Sequence, residues 1–167
     1  MSGRGVDPTH RTFVSYIDKS REYYLARGYG NPYRWAHFDD VPFAPLARPL
    51  SKSVVTLITT AMPVADPGAD MLLRGVYSVP SEAPPARLST EGLFWDRQAT
   101  HTDDLDSFFP VHRLQEYVAE GRLGRLAARL HCVPTEYSQR HTIERDAPEM
   151  LRRCREDGVD AALLVPL

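Results

Sequence analysis

Apolar and polar residues change rhythm several times along this chain, and each rhythm predicts a different element. Phe13, Ile17, Tyr24 and Leu25 recur at helical spacing, so residues 9–27 are expected to form a helix. Asp7-Pro8-Thr9 supplies a start signal and Gly28 a stop. Such a helix would pack on the domain or on a second subunit. Between 28 and 50 stand Pro32, Pro42, Pro45 and Pro49. Proline removes backbone donors and disfavours helix, which predicts an extended, irregular arm. Trp35, Phe38 and Phe43 are expected to find burial, with the arm wrapped over a surface. The run SVVTLITTA, residues 53–61, is β-branched and almost unbroken in apolar character, the mark of a strand covered on both faces. MPVADPGAD after it reads as a loop.

The second half continues the alternation. LLRGVYSVP and GLFWDR are expected as short strands around the loop SEAPPARLST. PVHRLQEYVAE, residues 110–120, predicts a helix: proline suits the first turn, Gly121 the end, and Val111, Leu114 and Val118 share a face. GRLGRLAARLHCV reads as a short helical turn leading into a strand near Leu130–Val133. Ile143, Ala147, Met150, Leu151 and Cys154 then form one helical stripe, with Asp146 as the expected N-cap, Pro148 in the first turn and Gly158 at C′. A helix beginning earlier, near Thr142, should be kinked by Pro148. GVDAALLVPL, residues 158–167, is expected as a buried interior strand. Helix, tight turn and apolar strand in that order argue an α/β layered domain with a mainly parallel sheet. The terminal strand would need a following loop and a covering helix, so the sheet is expected to be incomplete at the C-terminus.

Composition narrows the classes. At 167 residues the chain suits one α/β domain, with an N-terminal helix and proline-rich arm over 1–50 and a sheet-forming core over 51–167. A net charge of −2 and no basic cluster interleaved with aromatics give no reason to expect nucleic acid. No apolar run approaches the ~20 residues of a membrane span, and MSGRGVDPTHR lacks the apolar region of a signal peptide, so the cytoplasm is expected and no membrane partner. Cys132 and Cys154 are the two cysteines, too few for a disulfide framework or a zinc site, and read as packed thiols in a reducing compartment. In HTDDLD, residues 101–106, the acids serve as helix caps in a solvated loop more readily than as a metal site, which lacks the glycine of a calcium turn. No metal and no cofactor are expected within the chain.

Four stretches carry a resemblance. YRWAHFDDVPFAPLARPLSKSVVTLITTA, DLDSFFPVHRL, PTEYSQRHTIERDAPEMLRR and DGVDAALLVPL together resemble, in order and spacing, the selenoprotein B family of glycine, betaine, sarcosine and D-proline reductases. The resemblance covers most of residues 33–167. It implies an oxidoreductase subunit that reductively cleaves a small amine substrate, with a thioredoxin-like reductant as partner. In that family a strand like 158–167 leads into a loop bearing a cysteine pair, or a selenocysteine and a cysteine. The resemblance therefore places the catalytic residues immediately after Leu167 and none within the chain. A partial gene, a degenerate non-catalytic relative, and a gene read short at an in-frame UGA codon are three readings of that position. A bare end strand would also invite self-association. Two departures bear on substrate choice: His112 stands where the family usually has aspartate, and Ala61-Met62 where it tends to place glycine near Thr59-Thr60.

Ligands of open parallel sheets bind beyond the carboxyl ends of the strands. The candidate pocket residues are accordingly Thr59 and Thr60 at the end of the first strand, His112 and Arg113 at a helix start, and Tyr137 and Arg140 in the loop before the last helix. Arg113 opposes the helix dipole there, so a carboxylate or a substrate anion should hold it. Tyr137, Ser138, Arg140 and His141 offer mixed donors that could orient a carboxylate, or they form a polar connection with one or two caps. The alternative to catalysis is a binding or scaffold protein that keeps the fold.

Overall fold

A computed structural model of the chain describes residues 16–28, 37–64, 75–91, 93, 101–135 and 138–167. The chain divides into two compact units, Met1–Val41 and Pro42–Leu167. The first holds helix α1, Tyr16–Ala26. Its Tyr23 and Tyr24 rings meet edge-on with centroids 5.5 Å apart, and the Arg27 guanidinium lies 5.1 Å from the Tyr23 ring centre. Tyr24 and Leu25, two of the four residues of the expected stripe, are exposed. The Asp7-Pro8-Thr9 start signal and Phe13 lie outside the described residues.

The second unit is built on strand β1, Val54–Thr59, buried at every position. Short strand β2, Met62–Pro63, follows and pairs antiparallel with β4, Leu88–Ser89. Strand β3 is Tyr77–Pro80, helix α2 Val111–Ala119, β5 Arg125–Leu126 and β6 Arg129–Cys132. A three-residue α3, Gln139–His141, a π-helical segment, Thr142–Asp146, and α4, Ala147–Glu156, run end to end before β7, Ala161–Val165. β5 and β6 lie one after the other along the same side of β1, and β7 pairs along the other side. These three pairings are parallel, while β3 joins the outside of β6 antiparallel. Fold class is therefore α/β with a mainly parallel mixed sheet. Between β5 and β6 the partner of β1 takes in two extra residues, Ala127 and Ala128.

Double-sided burial explains why β1 reads as one apolar run. On one face Leu57 packs with Phe108, Phe109, Val111, Leu130 and Cys132. On the other, Ile58 packs with Val76 and Met150. Both long connections end as the sequence predicts. Gly121 and Gly158 take φ of +72° and +64°, and behind them Arg122 N–H bonds Tyr117 C=O and Val159 N–H bonds Cys154 C=O, the six-to-one closure of a Schellman cap. Asp160 then accepts from the Val54 N–H at 2.9 Å and from Arg48 Nε at 3.2 Å, which fastens the start of β1.

Several expectations change. The terminal segment is a strand, but among the described residues it pairs with β1 alone and so stands at an edge, with Leu163 and Leu164 42% and 67% exposed. Apolar composition predicts the strand; its place in the sheet order depends on which neighbours pair with it. Asp146 is not an N-cap. It has helical φ and ψ, makes no side-chain capping bond, and is buried against Arg145 Nε at 2.9 Å. Ser138 caps instead, accepting from the His141 N–H at 3.2 Å. The helix thus begins well before Pro148, and the wide π turn sits where proline lacks the N–H that would bond Glu144 C=O. Phe38 and Phe43 are 68% and 90% exposed, so neither is buried as expected; within residues 42–50, Pro42, Pro45 and Pro49 remove backbone donors and disfavour helix. Trp35 lies outside the described residues. Of LLRGVYSVP, only Tyr77–Pro80 forms a strand among the described residues, and GLFWDR is described only at Leu93, which is buried.

Candidate functional site

The carboxyl ends of β1, β6 and β7 meet at one edge of the sheet. Thr59 is in register with Cys132 on one side and Val165 on the other. Parallel pairing alone produces this convergence, because all three chains leave the sheet in the same direction. The polar groups at this edge serve the backbone. Thr59 is buried and its Oγ1 accepts from the Ala61 N–H at 3.3 Å. Thr60 Oγ1 accepts from the Leu167 N–H at 2.9 Å and donates to the Leu167 C=O at 3.3 Å. Its hydroxyl does the work of a ladder partner where the strand pairing stops. Thr60→Val should cost about 1 kcal/mol, the net worth of such bonds. It should also speed hydrogen exchange at Leu167, and unchanged exchange would show the pairing to be idle.

The other candidates stand apart from this pair. His112 lies in the first turn of α2, where Asp106 accepts from its backbone N–H at 3.0 Å and lies 2.6 Å from its Nδ1. One carboxylate therefore caps the helix and fixes the imidazole. Asp104 caps the preceding 3₁₀ turn by accepting from the Asp106 N–H at 3.0 Å. Two of the three acids of HTDDLD, Asp104 and Asp106, act here as caps, while Asp103 lies 3.5 Å from the His101 ring. Arg113 is held by Glu116, one helical turn on, at 2.6 Å. Both side chains are exposed, so that pair adds little stability. Arg140 is exposed on α3. Tyr137 lies outside the described residues. Among the described residues no hydrogen bond or ion pair joins His112, Arg113 or Arg140 to Thr59 or Thr60.

Neither thiol is activated. Burial pushes the Cys132 thiol up to about 12, and Cys154 is also raised, first by burial and then by Asp157. Both therefore stay protonated at neutral pH, and a protonated thiol is a poor nucleophile.

The interior polar network is one the sequence pattern did not reveal. β3 and β6 pair so that Ser78 lies opposite His131. Ser78 Oγ is 3.0 Å from His131 Nδ1 and accepts from Arg153 Nη1 at 2.8 Å. Arg153 Nε in turn donates to Glu149 at 2.7 Å. His131 is fully buried, and its Nε2 has no hydrogen-bond partner. Beside it Arg129 donates to both oxygens of Asp157, with Nε–Oδ2 and Nη2–Oδ1 each 2.9 Å, and to Glu156 at 3.2 Å. Those bonds raise the Arg129 pKa, first through Asp157 and then Glu156. On the outer side of α4, Arg152 binds Glu149 and Glu156. Bonds from Arg152 and then Arg153 hold the Glu149 carboxyl down at about 2.

An open cavity of about 350 Å³ lies elsewhere, between α2 and the start of β5. Val118 and Leu126 give it an apolar wall, with Glu82, Gln115 and Arg125 also lining it. Of the expected pocket residues that are described, Thr59, Thr60, His112, Arg113 and Arg140, none lines it. Among the described residues no group of three or more His, Cys, Asp or Glu side chains could hold a metal ion. No described helix is long and apolar enough to cross a membrane. Comparison with protein-family models, with curated proteins and with solved structures gives no match, so the reductase resemblance rests on the quoted sequence segments alone.

Proposed function

We propose that this chain is a selenoprotein B-like subunit of a reductase of the glycine, betaine, sarcosine and D-proline type. In this reading its sheet is a platform and its own side chains are not the redox centre. One observation carries the reading: β7 runs parallel to β1 through five registered pairs, and Thr60 clamps Leu167 at the carboxyl edge. A loop continuing from such a strand would emerge where α/β sheets bind their ligands. A sulfur or selenium pair on that loop would meet a small amine-bearing substrate there, with a thioredoxin-like protein as reductant.

The coding sequence after the Leu167 codon tests this directly. An in-frame UGA or a pair of cysteine codons about two positions apart is expected. The product spanning it should then catalyse thiol-dependent reduction of a small amine substrate. A conventional stop codon with no open frame behind it would remove the reading. A second reading is a binding or scaffold protein without catalysis. It predicts ligand binding with no turnover even in the longest product.

A further inference from the structure

We propose that His131 is an acid-sensitive latch holding helix α4 against the sheet: a proton taken up by its ring breaks the link through Ser78 to Arg153 and frees the helix. The proposal is independent of the redox reading. It starts from an asymmetry in the link. Arg153 Nη1 already donates to Ser78 Oγ, so the hydroxyl proton is available to His131 Nδ1, and the neutral ring is accommodated. A protonated ring must donate from Nδ1. Oγ would then face two cations at once, and the hydroxyl proton would lose its acceptor. Nε2–H, fully buried and without a partner, could not spread the new charge into solvent.

The surroundings reinforce this. β3 contributes Ser78 as the polar group at the ring. β6 contributes Arg129, which opposes a charge on the imidazole. From α4, Arg153 also opposes it, and Glu149 is already occupied by Arg152 and Arg153. Asp157, just after α4, favours a charge, but its carboxylate is taken by Arg129, as is that of Glu156. β1 contributes Ile58, in register with His131, and Cys154 and Met150 of α4 pack in the Ile58 cluster. With α4 in place, burial first and Arg129 next push the His131 pKa down to about 4. On a released helix the ring returns to an ordinary value near 6.5. The equilibrium constant for release should therefore rise about tenfold per pH unit between about 6 and 5, reach about 150-fold at pH 4, level off near 300-fold below that, and be constant above pH 7.

Cys154 reports the event because it sits on α4 and is half-buried, while Cys132 lies buried on the opposite face of the sheet. The full chain is labelled with 4,4′-dithiodipyridine, a disulfide reagent that reacts in acid. Peptide mass spectrometry separates the two sites, and rates are normalised to glutathione at each pH. Between pH 7.5 and 5.0 the Cys154 rate should rise about 30-fold while Cys132 stays protected. In His131→Gln, which has no titrating ring, the rise should vanish. Joint labelling of both cysteines, or a rise that persists in the variant, would overturn the latch. If the variant does not fold, NMR titration of the wild type decides. The His131 ring and the α4 amides must then titrate with one midpoint, and separate midpoints would overturn the proposal equally.

Discussion

Replacing Phe109 with alanine is expected to lower the unfolding free energy by about 4 kcal/mol, the cost of emptying an aromatic site in a packed core. Phe109 is fully buried, and it packs in the cluster of Leu57, Leu130 and Val111, where β1, β6 and α2 meet. Its own N–H bonds Leu105 C=O at 2.8 Å, and the Val111 N–H bonds its carbonyl. The ring is therefore held by a tight turn that cannot slide another side chain into the gap. Urea unfolding followed by circular dichroism should show the midpoint falling by about 2 M. Phe43→Ala is the matched control. The same atoms are removed from a side chain that is 90% exposed, and the change should stay within about 0.5 kcal/mol. Equal losses at the two positions would mean that the core is not where the packing places it.

Gly124→Ala should be nearly as damaging, for the opposite reason. A Cβ at this position would lie 2.6 Å from Ser53 O, 2.7 Å from Lys52 C and 2.8 Å from Ser53 N. All three are backbone atoms, so no rotamer change relieves the contact. Gly124 N–H bonds Leu50 C=O at 3.0 Å and Arg125 N–H bonds Ser53 C=O at 3.1 Å. Those bonds bring the start of β5 to the start of β1, and a methyl group would force them apart. A loss of about 3 kcal/mol is expected, with a melting temperature lower by about 10 °C. Gly75→Ala, whose added Cβ meets nothing within 4 Å among the described residues, should leave melting within a few degrees of the parent.

How much of this was legible in the sequence differs by residue. β1 was readable because both its faces are buried, which writes an unbroken apolar run. Helix α2 was readable because Val111, Leu114 and Val118 mark a face and Pro110 and Gly121 mark its limits. Residues 161–165 were readable as a strand with a bare end, but their place at an edge of the sheet was not, since a hydrophobic run carries no record of edge or centre. The capping of the last helix was misplaced for a local reason. Proline inside a helix usually ends it, and only the π turn lets the segment capped by Ser138 pass through Pro148. The candidate site was readable only in part. His112 drew attention as a departure from the family the chain resembles, while its partner Asp106 lay in a loop weighed for caps and for a metal, not as a partner of His112. The Ser78–His131 pair was invisible, because those residues are 53 positions apart and meet only through the β3–β6 register.

The two alanines between β5 and β6 impose a parity rule on this region. Side chains alternate across a sheet, so an even insertion leaves every following residue pointing the way it did before. That is why Leu126 and Cys132, on either side of the insertion, both reach the Phe109 cluster. Evolution or an engineer could delete Ala127 and Ala128 together and keep that orientation. Deleting one alone would turn Leu130 and Cys132 toward α4 and drive the imidazole of His131 in among aromatic rings. Length variation here is tolerable in steps of two and ruinous in steps of one.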